Sequence, residues 1–125
     1  MKRINPETVW KPKEFVHATM NGTIMIISGQ TGRDVDGNIV SDSFSEQARQ
    51  ALKNIKNIVE SQGRSLDDVM KLTVYVKDLR YGTEFYEIFG EFFRPDNIPA
   101  STFVGIIGLW NERQLIEIEA IVDLS

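Results

Sequence analysis

The stretch Ser43–Asp78, SFSEQARQALKNIKNIVESQG followed by RSLDDVMKLTVYVKD, changes its apolar period half-way, and that change decides the fold class. In the first half Phe44, Ala48, Ala51, Leu52, Ile55, Ile58 and Val59 recur every three or four residues. That stripe predicts an amphipathic helix over Ser43–Gln62. Ser43 and Glu46 have the spacing of a capping box, and Gly63 suits the left-handed residue that stops a helix. Ser65 is placed to cap a short turn over Leu66–Asp68. Beyond it Met70, Leu72, Val74 and Val76 alternate with Lys71, Thr73, Tyr75 and Lys77, a strand with one apolar and one wetter face.

Working outward towards the N-terminus, Gly29 and Gly32 flank a bend, and Asp36-Gly37 offers a turn before Ile39-Val40. The run Thr23–Ser28 (TIMIIS) is almost continuously apolar, the pattern of a strand buried on both faces. Asn21-Gly22 separates it from a short strand expected over Phe15–Met20, a hairpin signal of the type I′ kind. The first twelve residues, with Pro6 and Pro12, read as an irregular lead-in to a single domain over residues 1–125. Towards the C-terminus a second helix is expected over Thr83–Phe93, with Phe85, Ile88, Phe89 and Phe92 on its core side and Pro95 ending it. Strands over Thr102–Ile107 and Gln114–Asp123 close the chain. Ile116, Ile118, Ala120 and Val122 share one face of the last strand; Leu115, Glu117, Glu119 and Ile121 share the other. The order is that of an α+β fold, a mixed sheet with two helices on one face. The second face is covered either by a sheet edge or loop folding over it or by another copy of the chain, and its apolar character favours the copy.

At 125 residues the chain can build one core and not two. A net charge of −4, with lysines and arginines dispersed among acidic neighbours, argues against nucleic-acid binding. No cysteine is present, which excludes disulfides, thiolate metal sites and cysteine nucleophiles. One histidine cannot build a zinc site, so no metal is expected. The opening residues MKRINPETVW lack the apolar stretch of a signal peptide, and no run approaches the ~20 apolar residues of a membrane span. No membrane association and a cytoplasmic location are therefore expected.

Few residues carry chemistry by themselves. Glu117 is either part of a solvated sheet face or a carboxylate in a cleft, where burial would raise its pKa towards that of a general base. Ser101 either satisfies nearby backbone at a strand start or contacts a ligand; no partner makes it a nucleophile. His17 is expected at the surface or in a subunit contact. Gly29-Gln30-Thr31-Gly32 lacks the lysine and spacing of a phosphate loop. Trp110 either lines a cleft rim or covers a sheet edge.

Five motifs occur in order: Ser28-Gly29-Gln30, QARQALKNI at 47–55, VMKLTVYVKD at 69–78, Pro99-Ala100-Ser101-Thr102 and IEIEA at 116–120. Together they resemble the RidA/YjgF family of reactive-intermediate deaminases over residues 13 to 123. The resemblance implies a chorismate-mutase-like fold of about six strands and a homotrimer whose sheets form a central barrel. It also implies a small-metabolite cleft at each subunit interface and cofactor-free hydrolysis of imines and enamines.

Residue by residue, the family's cleft glutamate corresponds to Glu117, the expected catalytic residue. Ser28, Gly29 and Gln30 match the turn that lines the cleft. Three binding positions depart from the family. Ser101 stands where deaminating members carry an arginine for the substrate carboxylate, and a hydroxyl cannot supply that charge. Phe15 replaces a tyrosine, and Tyr86 replaces an asparagine. The expectation is a divergent hydrolase with a different substrate; the alternative is a trimer that binds a small molecule without turning it over.

Overall fold

The computed structural model describes residues 1–125, and its central helix follows directly from the apolar stripe. Helix α1 runs Phe44–Glu60, with Ala48, Ala51, Leu52, Ile55, Ile58 and Val59 fully buried. Ser43 Oγ accepts the Glu46 N–H at 3.4 Å, but only this half of the capping box forms. The Ser43 N–H donates instead to Ser41 Oγ at 3.0 Å. Gly63, at φ 71°, turns the chain out of the helix.

The strands are β1 (Lys2–Ile4), β2 (Ala18–Asn21), β3 (Ile24–Thr31), β4 (Val69–Val76), β5 (Ala100–Gly105) and β6 (Ile116–Asp123). A second helix, α2 (Gly82–Phe92), connects β4 to β5. They form one mixed sheet in the order β1-β2-β3-β6-β4-β5. Only β4 and β5 pair in parallel. Both β3 and β4 run antiparallel to β6, so α1 is a crossover that leaves a gap, and the C-terminal strand fills it.

The core lies between α1, α2 and one face of the sheet. Met25, Ile27, Leu72, Val74, Val76, Ile116, Ile118, Ala120 and Val122 supply the sheet side, none more than 2% exposed. Phe85, Ile88 and Phe89 of α2 supply the helix side, joined by Phe93 just beyond its end, while the expected core residue Phe92 is only half-buried. Truncating one of these, as in Leu72→Ala, would cost about 2–5 kcal/mol through lost burial and an unfilled cavity.

Four local readings differ from the structure. The lead-in contains β1, which pairs with β2 through Lys2↔Met20 and Ile4↔Ala18, so residues 1–12 are not wholly irregular. The first hairpin closes with Asn21 opposite Ile24, and only Gly22, at φ 63°, is left-handed. Its two-residue loop is therefore Gly22-Thr23, and Asn21 stays in the strand. Met70 is exposed, because a register shift between Val69 and Lys71 takes it out of the alternation and buries Val69 instead. Finally, β3 is not buried on both faces within the protomer: Met25 and Ile27 face the core, while Ile26 is 55% exposed. Ile26 and Ile121 are register partners on this uncovered face, which also carries Thr73, Tyr75, Glu117 and Glu119.

Candidate active site

A bulge in β3 sets up the site. Ile27 pairs with Ala120 and Gln30 with Ile118, so Ser28 and Gly29 together oppose Glu119 alone. Such an extra residue bends the strand and re-aims its side chains. Beyond the bulge Thr31 pairs with Glu117, and the Glu117 side chain lies against the bare backbone of Gly29. A β-carbon at Gly29 would stand 2.7 Å from the Glu117 carboxyl carbon. Only glycine admits the carboxylate at this spot.

Glu117 is half-buried, and burial raises its pKa above the ordinary glutamate range. Glu119, two residues along the same strand, adds to the rise through like charge. Glu119 is differently placed: it is exposed and accepts a hydrogen bond from the Tyr75 hydroxyl at 2.8 Å. That bond raises the Tyr75 pKa, holding the phenol protonated. Two glutamates on one strand face thus have different environments, and the half-buried one is suited to hold or accept a proton.

Polar side chains of α1 fix the surrounding backbone. Asn54 Nδ2 donates to the carbonyls of Thr31 (3.2 Å) and Arg33 (3.0 Å), holding the turn after β3. Gln47 is fully buried; its amide donates to Ser41 O and Arg113 O and accepts the Leu115 N–H at 2.9 Å. Gly32 lets this helix approach, since a β-carbon there would fall 2.7 Å from the Gln47 Cα.

His17 anchors the segment that forms the opposite wall. It is fully buried, not at the surface, because Asn5 Oδ1 accepts its backbone N–H and its ring Nε2–H donates to Trp10 O at 2.9 Å. A carbonyl only accepts, so Nε2 carries the proton and Nδ1 is left buried without a partner. Burial lowers the His17 pKa. The imidazole is thus a neutral peg beneath residues 10–16.

Between this wall and the β3 bulge lies a cavity of about 900 Å3. Its floor includes Gly29, Gln30 and Glu117; Trp10, Phe15, Arg33 and Trp110 stand around it. Ser28 does not line it, because its hydroxyl donates to Val16 O at 2.7 Å and ties β3 to the N-terminal segment. Ser101 and Tyr86 lie elsewhere, joined to each other by a hydrogen bond of 3.1 Å between their hydroxyls. Ser101 pairs with Leu72 on the helix side of the sheet, whereas Glu117 pairs with Tyr75 on the uncovered side. Within one protomer the two positions cannot meet.

Trp10, Arg33, Asn54 and Gln114 were not apparent as cleft residues from the sequence, although they line the cavity. The signal available was a tryptophan in a supposedly irregular segment, since so large a ring in a loop needs something to pack against. No group of three or more His, Asp or Glu residues is placed to hold a metal ion. No helix is long and apolar enough to cross a membrane.

Comparison with known proteins agrees with this architecture. A model of the family described as Endoribonuclease L-PSP matches residues 8–124. A RutC family protein of Pyrococcus horikoshii is 40% identical over 108 residues, 86% of this chain and 84% of the relative. A 2-iminobutanoate/2-iminopropanoate deaminase of Salmonella typhimurium is 38% identical over 109 residues, 86% of this chain and 84% of that protein. The crystal structure of the YjgF gene product of E. coli superposes with a TM-score of 0.92 at 32% identity, covering 100% of both chains.

Proposed function

The chain belongs to the Endoribonuclease L-PSP family, the RidA/YjgF proteins, and from that premise we propose that it is a cofactor-free imine or enamine hydrolase. The observation that carries the proposal is Glu117, a half-buried carboxylate of raised pKa seated on Gly29 in a cavity of substrate size. In the proposed reaction Glu117 orients a water and accepts one of its protons as the oxygen attacks the C=N carbon. Glu117 returns that proton to the nitrogen to give a neutral carbinolamine, then relays the hydroxyl proton to the amino group as C–N breaks, so that ammonia and a carbonyl compound leave. An enamine first tautomerises to its imine. General-base assistance of this kind is worth about 10²–10⁴ in rate.

The catalytic unit in this proposal is a ring of three copies with a cleft at each interface. Two observations support it. The uncovered sheet face carries exposed Ile26 and Ile121, apolar surface that a soluble chain would bury. Ser101 and Glu117 also occupy opposite faces, so a site using both needs two copies. The substrate differs from that of arginine-bearing deaminases, because Ser101 offers a hydroxyl already engaged with Tyr86.

The direct test generates 2-iminopropanoate and bulkier imines in place and measures ammonia and carbonyl product. Hydrolysis of at least one imine by the wild type, and its loss in Glu117→Gln, is the expected result. Binding of a ligand recovered unchanged, with no imine turned over, would favour a small-molecule-binding trimer.

A further inference from the structure

We propose that Arg33 is the anion anchor of this cleft, and that its ligand is a carboxylate carrying an aromatic or similarly flat, bulky group. The inference rests on the cavity above Glu117 being the active site. It assigns to a different element of the fold the positive charge that a serine at position 101 cannot supply.

Arg33 lines the same cavity as Glu117. The chain's ion pairs engage Arg49, Lys56, Arg80, Arg94 and Arg113, whereas Arg33 enters none of them. It is nevertheless held in place. One terminal nitrogen donates to Gly37 O at 2.6 Å, and the guanidinium carbon lies 5.2 Å from the centre of the Trp10 ring. The backbone is pinned too, through the Arg33 carbonyl to Asn54 and a bridge to Ile39. Gly37 packs closely against Trp10: a β-carbon on Gly37 would stand 2.6 Å from the indole nitrogen, and Gly37 adopts φ 87°.

An arginine ordered on an aromatic ring, with no carboxylate partner, keeps donors for a planar oxyanion and has lost little freedom on binding it. The other cation on the cavity wall, Lys13, is exposed and makes no hydrogen bond that orders it. The remaining walls explain the second half of the proposal. Phe15 and Trp110 are 47% and 94% exposed in the protomer and line the cavity beside Trp10. Three aromatic faces suit a flat apolar body, which a short aliphatic acid does not have.

The test titrates the protein with phenylpyruvate and with pyruvate, comparing wild type, Arg33→Gln, Arg33→Lys and Glu117→Gln. Wild type should bind phenylpyruvate at least ten-fold more tightly than pyruvate. Arg33→Gln should lose that binding at least ten-fold, Arg33→Lys should recover part of it, and Glu117→Gln should retain it. Equal affinity for the two acids, or unchanged binding in both Arg33 variants, overturns the proposal. Arg33-dependent binding in a protein that hydrolyses no imine would sink the hydrolase reading and leave the anchor standing. Imine hydrolysis with kcat/KM unchanged in Arg33→Gln would do the reverse.

Discussion

The Glu117 carboxyl carbon lies 2.7 Å from the place a β-carbon on Gly29 would occupy, so the carboxylate rests on glycine backbone. The atoms in conflict are the outer part of a side chain, which can swing away at little cost. Gly29→Ala is therefore expected to leave the melting temperature within a few degrees of wild type, a change below about 1 kcal/mol. Imine hydrolysis should nevertheless fall at least ten-fold, because the carboxylate is displaced. Unchanged kinetics would remove Glu117 from the site.

Glu117 also predicts a pH dependence. Its folded pKa is raised, so between the ordinary glutamate range and that raised value the folded chain binds the proton more tightly than the unfolded chain does. Stability should fall as pH rises through this window, and should level off above it. Glu117→Gln should abolish that decline and be slightly more stable at neutral pH, while losing about 10²–10⁴ in kcat. Denaturant titrations across pH, set beside ammonia-release rates, check both halves.

The exposed Ile26 and Ile121 pair predicts the assembly. Replacing both with aspartate puts unpaired charge into the proposed subunit interface. Native mass measurement should show wild type as a trimer at micromolar concentration and the double variant shifted to monomer. A wild type that stays monomeric would refute the interfacial cleft.

His17 predicts an acid-side loss of stability. Its neutral form is favoured in the fold, so the unfolded chain takes up a proton first as pH drops below about 6.5, and stability falls. His17→Gln should flatten this slope while retaining a donor for Trp10 O. His17→Ala should cost about 2–4 kcal/mol, from a cavity and an orphaned carbonyl, and should loosen the Trp10 wall. Thermal melts and tryptophan fluorescence distinguish the two variants.

The helix at Phe44–Glu60 and the strands around Val74 and Ile118 could be read directly because their apolar periods are local properties of the chain. Gly63 was equally legible, since a left-handed stop is a demand of one residue. The capping box at Ser43 failed by half because Ser41, two residues upstream, competed for its N–H. Met70 left the alternation because a register shift in β4 is decided jointly with β6. His17 offered no local signal of burial: its partners Asn5 and Trp10 lie twelve and seven residues away in sequence.

By itself the sequence determined an α+β chain with one core, its two helices, most of its strands and a family resemblance that included Glu117. Period, capping and turn chemistry act over a few residues, so they survive without knowledge of the rest. The tertiary structure alone decided that Glu117 and Ser101 face opposite sides of the sheet. It also brought Trp10 and Arg33, from a lead-in and a turn, to the cavity that holds Glu117. Those placements depend on strand order, one bulge and the packing of α1, which join residues far apart in sequence.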